Sequence, residues 1–210
     1  MNKIDRLGWI VAAAILGIII ACGFQSSFDK VATVDLGTMV ETSNLGKANI
    51  DALNTMKTAR EDLLKFIDDN RVLTNDQATN LRTLWLKDAP SAADKASLES
   101  LKADIVASAK KNVELGQKPN LTPEERTLLQ EYANRSASME RLAQQWYQEF
   151  SQEIQQSAQD RRVDTLNKAK TAAQSVAKAQ GYTLVFDNSV GVYAANDLTA
   201  DALKAMNAAK

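Results

Sequence analysis

One stretch decides how this chain folds: TPEERTLLQEYANRSASMERLAQQWYQEFSQEIQQSAQDRRVDTLNKAKTAAQSVAKAQG, residues 122–181. Thr122-Pro123-Glu124-Glu125 favours a helix start, because it combines a threonine N-cap, a proline at the first helical position and two acids in the first turn. No further proline or glycine occurs before Gly181, which is a natural stop. Apolar residues between these limits recur mostly at three- and four-residue steps, as one face of a helix requires. A helix of about 58 residues would be about 87 Å long, so we expect it to project as an arm.

Three shorter helical segments precede the long one. The first begins near Lys47 and weakens at Asp68-Asp69-Asn70, the second is capped by Thr74 or Asn75, and the third runs from the cap Ser91 to Gly116. Their lengths together come to about 89 Å, so the simplest arrangement is a segmented outward arm lying antiparallel on a continuous return arm. The alternative is a distal bundle, in which the second and third segments fold back on residues 122–155.

Short strands are predicted near both ends of the chain. Residues 31–36 and 182–187 are rich in β-branched and aromatic side chains, and residues 190–193 form a returning strand after an Asn188-Ser189 turn. Thr199 can cap a last helix, residues 200–208. Three short strands leave exposed edges, so we expect the chain to oligomerise through this body. The candidate oligomerisation residues are Val31, Val34, Leu36, Leu184, Phe186, Val192 and Tyr193.

The predicted fold class is therefore mainly α with a small β body. A long antiparallel helical hairpin with coiled-coil-like arms, its outward arm segmented, stands on a three-strand oligomerisation body. Residues 28–46 and 181–210 form the body, and residues 47–180 form the arms, with a turn near 116–122. Residues 1–27 form a signal sequence or membrane anchor.

The N-terminal segment directs the chain to a membrane. Lys3 and Arg6 precede an uncharged, mainly apolar run, residues 7–24. Three outcomes remain open: a cleaved secretory signal, a retained anchor, or a lipoprotein signal in which Ile19-Ile20-Ala21-Cys22 resembles a lipobox and Cys22 is lipidated. All three deliver the remaining chain outside the cytoplasm.

Composition excludes several classes of function. A formal net charge of -1 gives no basic excess for binding nucleic acid. The absence of histidine removes the commonest general base and metal ligand, and the single cysteine permits neither an internal disulfide nor a Cys-rich zinc site. We find no phosphate loop, nucleophile elbow or ligand-spaced cluster, so we predict no enzyme, no metal and no cofactor.

The arms carry candidate contact residues. Trp85, Trp146 and Phe150 fall on the apolar stripes and are typical of packing between helices, whereas Tyr147 points away from Trp146 and is the better candidate for an exposed contact. Lys110, Lys111 and Lys118 near the predicted turn are either contacts for acidic clients or lipid headgroups, or solvated lysines. The acid pairs Asp68-Asp69 and Glu124-Glu125 are explained by helix termination and by the helix dipole.

Three segments carry a resemblance to a known family: KVATVDLG at residues 30–37, VAKAQGYTLVFD at 176–187 and DLTADAL at 197–203. In this order, around a helical hairpin, they resemble the Skp (OmpH-like) family of periplasmic chaperones. The resemblance implies a homotrimer whose strands join in a small barrel, and arms that hold unfolded outer-membrane proteins without ATP. Two features depart from the family: residues 102–118 are only mildly basic, and the middle region is longer and more interrupted.

Two functions follow as hypotheses. The first is an ATP-independent holdase in the periplasm or cell envelope, which binds unfolded outer-membrane or envelope proteins. The second is a coiled-coil structural or tethering protein of the envelope, anchored through residues 7–24. A retained anchor would combine the two in a membrane-tethered holdase.

Overall fold

A computed structural model describes residues 30–191 and 193–209. In this part of the chain it has six helices and two strands, which confirms a mainly α fold with a small β body. In chain order the elements are β1 Val31–Val34, α1 Leu36–Thr42, α2 Asn44–Asp69, α3 Asn75–Trp85, α4 Ala92–Gln117, α5 Pro123–Gln180, β2 Leu184–Asp187 and α6 Thr199–Ala208.

The elements form two compact units. The β unit comprises the described residues of 30–43 and 166–209, and the helical unit comprises Asn44–Thr165. Helix α5 runs through both, so its first part belongs to the helical unit and its last turns to the β unit.

Helix α5 is continuous, as its sequence predicts. The Thr122 hydroxyl accepts from the Glu125 N–H at 3.2 Å, and the Glu125 carboxylate accepts from the Thr122 N–H at 3.0 Å, so each residue satisfies a free donor of the first turn. At the other end Gly181 has a φ of 73°, a conformation that glycine adopts without steric cost. The helix therefore ends where the chain turns into β2.

The β unit contains a two-stranded parallel sheet in its described residues. Val31 lies opposite Leu184 and Val34 lies opposite Asp187. On the other side of β1, the Thr33 N–H donates to the Asn196 carbonyl and the Leu198 N–H donates to the Thr33 carbonyl, both at 2.9 Å. Both edges of β1 are thus occupied.

The prediction of a third strand over residues 190–193 is wrong for those of its residues that the structure describes. The Asp187 carbonyl accepts from the Val190 and Gly191 N–H groups at 2.9 and 2.8 Å, which closes a turn over residues 188–190 where a hairpin was expected. Gly191 also lies against Phe186, so closely that an added Cβ would be 2.8 Å from that of Phe186. Val192 lies outside the described residues. The segment Asn196–Leu198 follows, and it bonds to Thr33 on the edge of β1 that does not face β2.

The predicted cap of the last helix is also wrong. Helix α6 begins at Thr199 itself, with Leu198 at the N-cap position and no side-chain cap. The Thr199 hydroxyl instead accepts from the Asp35 N–H at 2.8 Å and donates to Asp197 at 2.5 Å. Thr199 therefore joins α6 to the end of β1.

The helical unit is a bundle, which agrees with the alternative arrangement predicted above and not with the simple segmented hairpin. Helix α2 is antiparallel to α5, since Asn49 contacts Thr165, Arg60 contacts Glu153, and Val72 just after α2 contacts Arg135. Helix α3 reverses and runs parallel to α5: Asn75 bonds to Ser138 and Arg82 bonds to Glu149. Helix lengths could not reveal this reversal, because they carry no information about direction.

A common core explains why the bundle forms. Buried apolar side chains from all four helices and the α2–α3 turn meet in one cluster, which a two-helix arm could not enclose. The buried members are Leu63, Ile67, Leu73, Ala78, Leu81, Ile105, Met139, Trp146 and Phe150. A smaller cluster of Val72, Leu115 and Tyr132 joins the α2–α3 turn, the end of α4 and the start of α5.

Candidate self-association and client-contact surfaces

The two faces of the sheet differ in what covers them. Because strand side chains alternate, Ala32 and Val185 share one face, and they pack with Ala177 of α5. Val31, Leu184 and Phe186 share the other face, on which Leu184 is 47% exposed and Phe186 is 43% exposed. We call these three residues the open sheet face.

Exposed apolar residues continue after β2. Val190 is 76% exposed and Tyr193 is 89% exposed, close in sequence to the open sheet face. In the described residues, β2 pairs with β1 alone, so its other edge offers main-chain donors and acceptors. An exposed edge beside exposed apolar side chains is typical of a surface that pairs with another chain.

The predicted oligomerisation residues do not all lie on one surface. Val31, Leu184 and Phe186 lie together on the open sheet face, and Tyr193 is exposed in the following loop. Val34 is buried on the helix-facing side, where it and Leu36 line a pocket against α5. Val192 lies outside the described residues.

Tyr147 is 68% exposed, whereas its neighbour Trp146 is buried in the core of the helical unit. An open groove between α2 and α5 runs beside the tyrosine. It is lined by Leu64, Lys65, Asp68, Arg71, Glu140, Ala143, Gln144, Tyr147 and Gln148. The lining combines two cationic and two anionic side chains with a few apolar ones, a mixture that suits weak contacts with many sequences more than a specific ligand.

The three candidate lysines are exposed but differ in their partners. The Lys118 ammonium lies 2.7 Å from both carboxylate oxygens of Glu125 and, with Thr122, lowers the pKa of that carboxyl group. Lys111 is 3.9 Å from Glu114. Lys110 belongs to none of the ion pairs formed within the described residues. Lys118 therefore stabilises the α4–α5 turn, and Lys110 is the most available for an external anion.

An ionic cluster inside the helical unit was not foreseen from the sequence. Arg60 bonds to Glu153 at 2.9 Å, and Arg82 bonds to Glu149 at 2.7 Å and to Glu153 at 3.3 Å. Gln145 and Arg82 lower the pKa of Glu149 by hydrogen bonding. The Arg82 guanidinium also lies 5.0 Å from the ring centroid of Trp146 and 4.9 Å from that of Phe150. These contacts join α2, α3 and α5.

The acid pairs have local partners. Asp68 contacts Arg71, Asp69 contacts Lys65 at 2.6 Å, and Glu125 contacts Lys118. Within residues 30–191 and 193–209, no three acidic side chains converge in a way that could hold a metal ion. The same residues include no helix that is both long and apolar enough to cross a membrane. Cys22 and residues 7–24 lie outside the described part of the chain.

The sequence matches the family model "Outer membrane protein (OmpH-like)" over residues 30–206. The match covers both units. The chain belongs to the OmpH-like family. No curated protein matches it.

OmpH-like proteins are periplasmic, non-enzymatic chaperones that bind unfolded outer-membrane proteins and form oligomers. The open sheet face and the free edge of β2 are features that an oligomeric member of this family can use. The sequence pattern predicted that Tyr147 points away from Trp146, and Tyr147 is exposed. It did not separate the two faces of the sheet, since the candidates included both Leu184 and the buried Val34. It missed the Arg82 cluster, whose partners are 67 and 71 residues away in sequence.

Proposed function

We propose that this OmpH-like protein is an ATP-independent holdase that binds unfolded outer-membrane or envelope proteins outside the cytoplasm. The observation that carries the proposal is the family match, which extends over both units of the chain. Exposed aromatic and basic groups on the helical unit, Tyr147 and Lys110 foremost, supply weak contacts for clients. Lys111 and Lys118 add positive charge near the α4–α5 turn.

We also propose that the protein is a homotrimer assembled through the β unit. The open sheet face would lose its exposed apolar area on assembly, and burial of such area is the main driving force for association. Trimer formation brings several copies of the helical unit together. A client then makes many weak contacts at once, which raises its overall affinity without any strong individual contact.

Suppression of client aggregation tests the holdase. A denatured outer-membrane β-barrel protein is diluted into buffer with purified residues 28–210, and aggregation is followed by light scattering while the mass of the chaperone is measured in parallel. We expect a trimer that suppresses aggregation without nucleotide, because sheltering apolar segments needs no energy input. A well-folded oligomer that leaves aggregation unchanged contradicts the holdase.

The second candidate is an envelope tether, favoured by the uncharged run at residues 7–24 behind Lys3 and Arg6. We propose that this segment directs the chain through the inner membrane and is then cleaved, retained or lipidated at Cys22. The intact mass of the protein isolated from envelope fractions separates the three outcomes. A retained or lipidated segment in a protein that is inactive in the aggregation assay favours the tether.

A further inference from the structure

A small pocket lies within the β unit, on the side of the sheet opposite the open sheet face. Its volume is about 280 Å³. It lies between β1 and β2 on one side and the last turns of α5 on the other. Its apolar lining comprises Val34, Leu36, Ala173, Ala177, Tyr182 and Val185.

The pocket exists because α5 presents alanines to the sheet. Ala173 and Ala177 are both buried, one turn apart, and their side chains end at Cβ. Val34 and Val185 on the sheet are too short to fill the space that larger helix residues would occupy. Unfilled apolar space forgoes dispersion contacts, so an apolar group of suitable size gains by entering it.

The two ends of the pocket differ in charge. At one end Lys170 lies near Asp187, whose carboxylate also accepts from the Ser189 hydroxyl and N–H and from the Leu36 N–H at 3.3 Å. At this end the positive charge of Lys170 and the negative charge of Asp187 offset each other. Asp187 stays ionised, since these hydrogen bonds, those from Ser189 above all, lower its pKa.

The other end has positive charge without a carboxylate in the pocket lining. Lys178 is exposed there and belongs to none of the ion pairs within the described residues. The Lys30 ammonium, which is not part of the pocket lining, lies 6.0 Å from the ring centroid of Tyr182. Lys170 and Lys178 are eight residues apart on α5, which corresponds to about 12 Å along the helix. The pocket is therefore an apolar slot of about that length with one positive end.

We propose that this pocket binds a medium-chain aliphatic carboxylate, with the chain on the alanine side of α5 and the carboxylate at Lys178. The apolar lining matches the chain, and the one uncompensated cation matches a single anionic head. Asp187 at the opposite end disfavours a second negative charge. The inference goes beyond the holdase function and does not depend on it.

Photolabelling of the full chain tests the proposal. The probe is decanoate carrying a diazirine, and mass spectrometry of peptides locates the label. We expect label on peptides covering residues 170–187, with strong competition by decanoate and weaker competition by decanol, which lacks the anionic head. Lys178→Gln should weaken labelling by up to about fivefold, which corresponds to the upper end of the free energies of exposed ion pairs. Lys178→Arg keeps the charge and should keep the labelling.

Two further variants separate binding from folding. Ala173→Leu should fill the slot and abolish the label at residues 170–187, and circular dichroism confirms that the variant is folded. Lys204→Gln removes an exposed lysine of α6 and should label as the unchanged protein does. The proposal is overturned if decanol competes as well as decanoate, or if Lys178→Gln labels like Lys204→Gln. The labelling experiment does not measure chaperone activity, so the pocket proposal and the holdase proposal can be contradicted independently of each other.

Discussion

Arg82 contacts four side chains that are far away in the sequence. It bonds to Glu149 and Glu153 and covers the rings of Trp146 and Phe150. We expect Arg82→Met to lower the free energy of unfolding by about 1–2 kcal/mol, because it removes two partly exposed ion pairs and two cation–π contacts. Urea unfolding followed by circular dichroism measures the change.

A matched control removes a charge that has no aromatic partner. Lys57→Met breaks the exposed Lys57–Glu61 pair, 3.7 Å long, and we expect no resolvable loss of stability. Equal effects of the two substitutions would contradict the role assigned to Arg82 and its aromatic neighbours.

At the residue scale, sequence reasoning identified what depends on near neighbours. Ser91 was recognisable as a cap and Thr74 as one of two candidates, because each is bonded to a residue three positions later. The Arg82 cluster was not recognisable, because its members are far apart in the sequence and only the bundle brings them together. Thr199 misled the prediction because its hydroxyl bonds to Asp35, a residue 164 positions away.

At the scale of one element, the start of α4 is pH-sensitive. The Asp94 carboxylate accepts from Lys87 at 2.6 Å and from the Ser91 N–H and hydroxyl at 2.8 and 2.7 Å, and these contacts lower its pKa to about 2. Because the folded pKa lies below the ordinary value of 3.8, the stabilisation is present above about pH 4 and is lost as the pH falls towards 2.

Asp94→Asn should remove this dependence. We expect the variant to unfold at a lower temperature than the unchanged protein at pH 6, since Asn cannot form the ion pair with Lys87. The difference in Tm should shrink as the pH is lowered from 4 to 2. Asp88→Asn, which changes an exposed carboxylate in the same turn, serves as control. A Tm difference that stays constant across this range would contradict the assignment.

The helices show which of their properties the sequence pattern can predict and which it cannot. The bounds of α4 and α5 agree with the predicted segments to within about one residue, and α3 begins at the predicted cap, because capping residues and apolar periodicity are local signals. The reversal of α3 could not be deduced from them. It depends on which apolar faces meet, and Leu81 and Ile105 could have packed against a partner helix in either direction.

At the scale of the whole molecule, the ends of the chain were the informative part. The short motifs at residues 30–37, 176–187 and 197–203 indicated the family, and the family match includes all three. The arrangement of the strands within the β unit was predicted less well. A hairpin strand was expected beside β2, but within the described residues β2 pairs only with β1, because the turn after Asp187 directs the chain away from a hairpin. The segment Asn196–Leu198 lies instead beside β1.

Assembly through the open sheet face gives the last prediction. We expect Phe186→Asp to convert the oligomer to a monomer, because a carboxylate at a buried apolar contact loses hydration without gaining a partner. Sedimentation equilibrium of the protein, with circular dichroism to confirm folding, measures the mass. Ile50→Asp is the matched control: Ile50 is 50% exposed but lies in the helical unit, so the oligomer should persist. The prediction is contradicted if the oligomer survives Phe186→Asp or is lost with Ile50→Asp. The contact between copies would then lie outside the open sheet face, and the proposed trimer would need a different interface.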